Sequence, residues 1–249
     1  AWNHFNYRHF DKEKTIDEKR IERLDYVVAV SEQDAATLWE YFPKYNEKIV
    51  CMHNIVDSEM IRKRADEEQA DVMEESGDGS IRICSVGRLE KQKDFILAVE
   101  AGRKLEEQRV SYKWYIVGEG AERKRIEERI REYGLEGRMH LLGARENPYP
   151  YMRNADVYVQ TSVFEGRCIA VTEAQVLGKP AVVTNVQGLN DVVRDQVTGL
   201  VVDRTADAVA EGIMAMTKER ISQFTENLKH MDGNFEEMDR FYALLGDCI

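Results

Sequence analysis

Two carboxylates and a glycine stand out in the stretch Ser162-Val163-Phe164-Glu165-Gly166-Arg167-Cys168-Ile169-Ala170-Val171-Thr172-Glu173-Ala174. If the segment after Gly166 is helical, Glu173 lies two turns beyond Glu165, and the rise of 1.5 Å per residue separates the two by about 12 Å. Paired glycosidase carboxylates stand roughly 5–9.5 Å apart, so that chemistry is excluded. The spacing suits two contacts at opposite ends of one extended ligand, with Gly166 letting backbone amides open toward it. It equally suits Glu165 as favourable charge near a helix start and Glu173 as an ordinary helix-surface residue.

A second loop, Gly87-Arg88-Leu89-Glu90-Lys91-Gln92-Lys93-Asp94, follows the apolar run IRICSV. Its glycine permits a sharp turn, and Arg88 and Lys93 then stand at a strand end with a helix starting behind them. Two cations and a helix N-terminus suit a diphosphate; a solvated basic loop is the plainer alternative. Gly118-Glu119-Gly120 follows KWYIV but has Arg123 where a dinucleotide fingerprint needs its third glycine, so NAD binding is not expected. A tight turn over which a nucleotide can lie fits better. The Gly188-Leu189 turn and Asp191, followed by Asp195–Gly199, say little alone. The five histidines show no ligand spacing, and Cys51, Cys84, Cys168 and Cys248 form no CxxC pair, so no metal is expected.

These loops need a scaffold that brings strand ends together. Asp25–Ser31 and Lys48–Ile55 read as strands flanking a helix over Glu32–Tyr41, and Asp57 as the cap of a short charged helix. The acidic tract 66–80 reads as a linker or surface loop. Beyond it, strands are expected at Ile81–Val86, Lys113–Val117, Met139–Leu142, Val157–Gln160, Ala181–Thr184 and Gly199–Val202. Helices are expected at Phe95–Gln108, Ala121–Tyr133, Tyr149–Asn154 and Ile169–Leu177. Strands apolar throughout and joined by helices predict a parallel sheet covered on both faces, an α/β doubly wound domain over about 80–205. Residues 207–249 read as helical. The run Glu122–Arg131 alternates charge sign, as a solvated helix face does.

Composition narrows the function. The 249 residues carry 35 Lys+Arg against 46 Asp+Glu, a net charge of −11, and lack the basic face of a general nucleic-acid binder. No apolar run approaches the roughly 20 residues of a membrane span, and AWNHFNYRHF has neither the basic lead nor the apolar segment of a secretory leader. Scattered cysteines fit reduced thiols in a cytosol.

In order, the loops resemble the retaining glycosyltransferases of family 4, of the GT-B fold group. The matching segments are VGRLEKQKDF, IVGEGAERKRIEE, MHLLGARENPYPYMRNADVYVQTSVFEGRCIAVTEAQVLGKPAVVT and DQVTGLVV, within about 25–205. Ser162, Glu165, Gly166, Glu173 and Ala174, followed by Gly178 and Pro180, carry the central signature.

The resemblance implies a Rossmann-like donor-binding domain at 81–206, preceded by the end of a first Rossmann-like domain (1–56) and a linker helix with acidic loop (57–80). C-terminal helices (207–249) follow, which in the family often cross back onto the first domain. It implies that Gly87, Arg88 and Lys93 hold the donor diphosphate, that Glu173 takes the ribose hydroxyls and that Glu165 takes those of the donor sugar. The amides of Gly166, Arg167, Cys168 and Ile169 would face the sugar and distal phosphate, Gly118 would lie under the nucleotide, and Gly143 and Arg145 would wall the base. His4 matches a family histidine near the reacting sugar.

The implied substrate is a UDP- or GDP-sugar, with no tightly bound cofactor and no metal. The implied partner is a glycan or lipid-linked acceptor at the cytoplasmic face of a membrane, in bacterial polysaccharide assembly. Arg167, Cys168 and Ile169 replace the family's Gly-Phe-Gly-Leu-Pro form, as in its capsular and exopolysaccharide subset. The short first domain and missing initiator Met suggest a fragment without most of the acceptor site and without the membrane-docking surface. Such a fragment would bind donor weakly and transfer poorly. A nucleotide-sugar epimerase, a non-catalytic nucleotide or carbohydrate-binding module and a scaffold protein are the alternatives.

Overall fold

The computed structural model describes residues 2–3, 17–67, 79–229 and 235–246. Its larger unit is a six-stranded parallel sheet built from β4 (Ile81–Val86), β5 (Tyr112–Val117), β6 (Met139–Gly143), β7 (Val157–Gln160), β8 (Ala181–Thr184) and β9 (Gly199–Val202). The order across the sheet is β6-β5-β4-β7-β8-β9. The chain therefore works outward from β4 to one edge, returns, and works outward from β7 to the other edge. The reversal falls between β4 and β7, where open α/β sheets leave a crevice at the carboxyl ends of their strands.

Side chains alternate along each strand, and the alternation builds two cores. Ile83, Val157, Val159 and Val182 join one apolar cluster with α4 (Phe95–Glu107), α5 (Arg123–Glu132) and α8 (Ala206–Met214). Cys84, Tyr158, Ala181 and Val183 join the other with α6 (Tyr149–Asn154) and α7 (Ile169–Val176). Trp114 is fully buried in the first core, its indole N–H donating to Ser85 Oγ at 2.9 Å.

The smaller unit is a three-stranded parallel sheet of β1 (Trp2–Asn3), β2 (Val27–Ala29) and β3 (Ile49–Cys51), in that order. Ser31 caps α2 (Glu32–Tyr41) by accepting from the Asp34 amide at 3.2 Å. Ile21, Leu38 and Phe42 fill the small core.

Four features differ from the sequence expectation. Asp17 caps an unanticipated five-residue helix, α1 (Glu18–Glu22), too short to show a periodic pattern. The strands expected at Asp25–Ser31 and Lys48–Ile55 shorten to Val27–Ala29 and Ile49–Cys51, the second starting late because Pro43 opens a 3-10 turn that runs to Lys48. The helix expected after Asp57, α3 (Ser58–Ala65), is capped by the Asp57 carboxylate accepting from Met60 N at 2.8 Å, a contact worth about 1 kcal/mol. It is more than a linker, since Val56, Ile61 and Ala65 pack into the core of α6 and α7. Finally, α8 is a sheet-covering helix of the larger unit. Its Gly212 lies close enough that an added Cβ would be 2.9 Å from Val182 and 3.0 Å from Val202.

Two helices follow, α9 (Lys218–Leu228) and α10 (Phe235–Gly246). Phe224 of α9 packs in the larger unit's core. α10 docks on the smaller unit, where Arg240 donates to the Cys51 carbonyl at 2.8 Å and His53 Nδ1 lies 3.2 Å from Glu237. Burial and Arg167 hold His53 below its usual pKa despite Glu237 and Glu32. No helix among the described residues is long and apolar enough to cross a membrane.

Candidate functional site

The loops 87–94 and 161–168 leave the carboxyl ends of the two strands that flank the topological reversal. They are tied to each other directly. Thr161 Oγ1 donates to the Lys93 carbonyl at 3.1 Å, Val163 N to the Gln92 carbonyl at 2.8 Å, and Gln92 Nε2 to the Phe164 carbonyl at 3.1 Å.

Lys93 and Glu165, 72 residues apart, meet in this crevice at 2.7 Å, their side chains only 14% and 7% exposed. Burial pulls the Lys93 ammonium down, but Cys168 and Glu165 more than offset that and raise its pKa, so it is charged at neutral pH. Below the pair runs a polar chain. Ser162 Oγ donates to Glu165 Oε1 at 2.5 Å, Gln160 Nε2 to Ser162 Oγ at 3.0 Å, and Tyr158 OH to Gln160 Oε1 at 3.1 Å. All three of these residues are buried. A polar group so placed is costly unless bonded, and each of these is.

Three glycines form a floor beside the pair. Gly118 has φ +151° and comes so close to the neighbouring loop that a Cβ on it would sit 1.9 Å from the Gly87 carbonyl oxygen. Gly118 N donates to the Gly143 carbonyl at 2.9 Å. The close backbone approach expected of Gly118-Glu119-Gly120 is thus present. Beyond this floor, Arg145 Nε donates to Tyr151 OH at 3.0 Å, and Tyr149 OH donates to Glu173 Oε1 at 2.9 Å. Burial raises the Glu173 carboxyl, and the Tyr149 hydrogen bond opposes that rise. Glu165 and Glu173 therefore belong to separate clusters, one at the Lys93 pair and one at Tyr149.

The Cys168 side chain is 2% exposed and packs under the site, with Sγ 3.8 Å from Lys93 Nζ and 3.9 Å from Gln160 Oε1. Its amide, one of the four that the resemblance turns toward the sugar and distal phosphate, donates to the Gly188 carbonyl at 3.4 Å. The cause is the turn after β8, which lies against the 165–168 loop. Arg88, by contrast, remains exposed and pairs with Glu90 at 3.0 Å. His4 lies outside the described residues.

The family described as Glycosyl transferases group 1 matches residues 66–234, two thirds of the chain, spanning every loop named above. The chain belongs to that family. It is 28% identical over 199 residues to the N-acetylgalactosamine-N,N'-diacetylbacillosaminyl-diphospho-undecaprenol 4-alpha-N-acetylgalactosaminyltransferase of Campylobacter jejuni, covering 79% of this chain and 52% of that protein. Against the uncharacterized glycosyltransferase MJ1059 of Methanocaldococcus jannaschii it is 21% identical, covering 65% of this chain and 40% of the relative. The chain thus spans about half or less of the length of these relatives. Among solved structures, the pneumococcal O-GlcNAc transferase GtfA in complex with UDP and GlcNAc superposes with TM-score 0.75 at 18% identity, over 99% of this chain and 51% of that one. Such likenesses establish the GT-B α/β fold.

In this group 1 glycosyl transferase chain the two units also touch beside the site. Gln187 Nε2 donates to Asp34 Oδ1 of the smaller unit at 3.2 Å, while the Gln187 carbonyl accepts from Glu165 N at 3.3 Å. Asp34 is fully buried, and its Oδ2 has no hydrogen-bond partner among the described residues. Burial lifts its carboxyl from 3.8 to about 6, with the Ser31 hydrogen bond opposing the rise and Asp191 adding to it. The fold therefore favours the protonated form. That contribution is fully present below about pH 4 and lost as pH rises through about 6. Asp34→Asn is expected to match the parent near pH 4 and to exceed it at pH 8 by roughly 2–3 kcal/mol in urea unfolding. A variant-minus-parent difference that stays flat from pH 4 to 8 would contradict this.

Neither Asp34 nor Tyr149 nor Gln160 was picked out by sequence. Only Gln160 left a signal, a lone amide at the end of the apolar strand VYVQ.

Proposed function

We propose that the chain is the donor-binding part of a retaining, family 4-type glycosyltransferase that moves a sugar from a nucleoside-diphosphate sugar to a glycan or lipid-linked acceptor. The observation that carries this reading is the buried Lys93–Glu165 pair in the crevice between β4 and β7, where two tied loops meet the N-terminus of α7. Arg88 and Lys93 would hold the diphosphate, aided by the amides of Gly166, Arg167 and Ile169. Glu173, oriented by Tyr149, would accept from ribose hydroxyls, and Glu165 from those of the sugar. Gly87, Gly118, Gly143 and Arg145 would bound the nucleotide, and His4 would approach the sugar from the smaller unit.

Catalysis would then be electrostatic. Charge fixed beforehand stabilises the departing diphosphate and an oxocarbenium-like sugar, and no nucleophilic side chain is required. UDP is the nucleotide we favour, because structural neighbours such as GtfA and Anabaena Alr3699/HepE are described in complex with UDP. The Campylobacter relative's name specifies a diphospho-undecaprenol acceptor, which supports a lipid-linked acceptor and peripheral action at the cytoplasmic face of a membrane. This chain, about half the length of that relative, would bind donor weakly and turn over poorly on its own.

Calorimetric titration with UDP, GDP and ADP tests the reading. Saturable binding of UDP is expected, weakened about tenfold in both Arg88→Ala and Glu173→Ala, the worth of one charge-assisted hydrogen bond. Binding indifferent to both substitutions would refute the site, and preference for GDP would correct the base.

A further inference from the structure

The two bonds from Gln160 through Ser162 to Glu165 have one consistent direction, whereas the Tyr158 hydroxyl can donate either to Gln160 Oε1 or to the Val86 carbonyl, both at 3.1 Å. An ionised Glu165 has no hydrogen to give, so across the 2.5 Å contact Ser162 must donate. A hydroxyl has one hydrogen, so Ser162 must accept from Gln160, and it is the amide nitrogen of Gln160 that faces it at 3.0 Å. The Gln160 oxygen is thereby turned toward Tyr158 OH at 3.1 Å and Cys168 Sγ at 3.9 Å, both of which can donate. Tyr158 is itself held from the neighbouring strand, accepting from Val86 N at 3.1 Å. A flipped Gln160 amide would put its oxygen against Ser162, draw the hydroxyl hydrogen away from Glu165 and set two acceptors against each other.

The bonds onto Glu165 share one more property. Lys93 and Ser162 both reach Oε1, and among the described residues none bonds Oε2. One carboxylate oxygen is anchored and the other is left for a ligand.

Resting on the reading of Glu165 as the sugar-facing carboxylate, we propose that Gln160 and Ser162 are positioning residues that hold Glu165 as a single-oxygen acceptor, with Oε2 presented to a hydroxyl or amide N–H of the donor sugar. Neither residue touches the ligand. Gln160 is fully buried at the end of β7, and its amide is the only link from the rigid β4–β7 strand pair through Ser162 to the carboxylate among the bonds described. Without it the Ser162 hydroxyl can rotate away, and Glu165 is left to Lys93 alone.

The role predicts a split between two affinities. The probes are UDP and four UDP-sugars: UDP-glucose, UDP-galactose and their N-acetylamino counterparts, titrated calorimetrically into the chain. The readout is the ratio of UDP-sugar to UDP affinity, which isolates the sugar contact, while UDP affinity reports the folding of each variant. Gln160→Leu and Ser162→Ala are expected to lower that ratio about tenfold for the preferred sugar, with UDP affinity within about twofold of the parent; Ser162→Thr, which keeps the hydroxyl, is expected to retain the ratio. Should both Gln160→Leu and Ser162→Ala keep the parent ratio, the positioning role is wrong while the donor site stands. A parent that binds UDP but gains from no sugar overturns the sugar-facing assignment of Glu165 and the role built on it. A parent that binds none of UDP, GDP and ADP overturns the functional reading itself. If Gln160→Leu does not fold, Ser162→Ala against Ser162→Thr decides alone.

Discussion

Lys93→Met is expected to destabilise the folded chain by roughly 3–5 kcal/mol, a large part of the ~5–15 kcal/mol that a domain of ordinary stability possesses. Methionine nearly conserves the volume of the lysine stem, so little of this is lost packing. The cost arises because the Glu165 carboxyl loses its counter-charge in a site where it is almost out of water, with Ser162 as the remaining donor to it. An uncompensated buried charge costs far more than the net worth of the pair that neutralised it. The double variant Lys93→Met/Glu165→Gln should therefore recover most of the loss, since a neutral amide in place of the carboxylate needs no counter-charge. Urea unfolding of the two single variants and the double variant measures this as a coupling energy. A loss under about 1 kcal/mol in Lys93→Met would mean that water reaches the pair and screens it.

Gly188→Ala should have the second largest effect, and its damage is directed. Gly188 has φ +79°, and a Cβ there would lie 2.4 Å from the Glu165 carbonyl oxygen and 2.7 Å from that of Gly166. These atoms are backbone, so no side chain can rotate out of the way. The 165–168 loop must move, and with it the Glu165 N–Gln187 O and Cys168 N–Gly188 O bonds. The expected cost is roughly 2–4 kcal/mol, combining left-handed strain with overpacking. With Glu165 as the sugar-facing carboxylate, donor-sugar binding should weaken at least tenfold. Gly134→Ala supplies the control: φ is +66°, but nothing lies within 4 Å of its Cβ position, so only the backbone term of about 1 kcal/mol remains. Equal losses in the two variants would show that the loop contact contributes nothing.

The large sheet was legible because each strand is a short apolar run closed by glycine, proline or charge, and such a run has few other uses. The edges of Ile81–Val86, Val157–Gln160, Ala181–Thr184 and Gly199–Val202 agree with the observed strands to the residue. The small elements were not legible. Five residues of α1 cannot display a period, and Pro43 starts a 3-10 turn as readily as it ends a helix. In the site, the loops could be recognised singly because strand ends in a parallel sheet collect ligands. Pairings across the crevice could not. Lys93 finds Glu165 72 positions away, and Gln187 finds Asp34 153 positions away. Nothing local in either partner encodes the other. The inward bond of the Cys168 amide was not legible for a related reason, since it depends on the turn at Gly188 that lies against the loop.

The route of α10 also bears on how such a chain can be recombined. The polypeptide passes from the smaller unit to the larger near Val56 and returns to it between Leu228 of α9 and Phe235 of α10, where Arg240 grips the Cys51 carbonyl. A chimera that imports a different nucleotide-binding half therefore needs two junctions, not one. Joined only near Val56, it would bring a foreign terminal helix to a surface shaped for Glu237 and Arg240; joined at both points, it would exchange specificity while the native clasp stays closed.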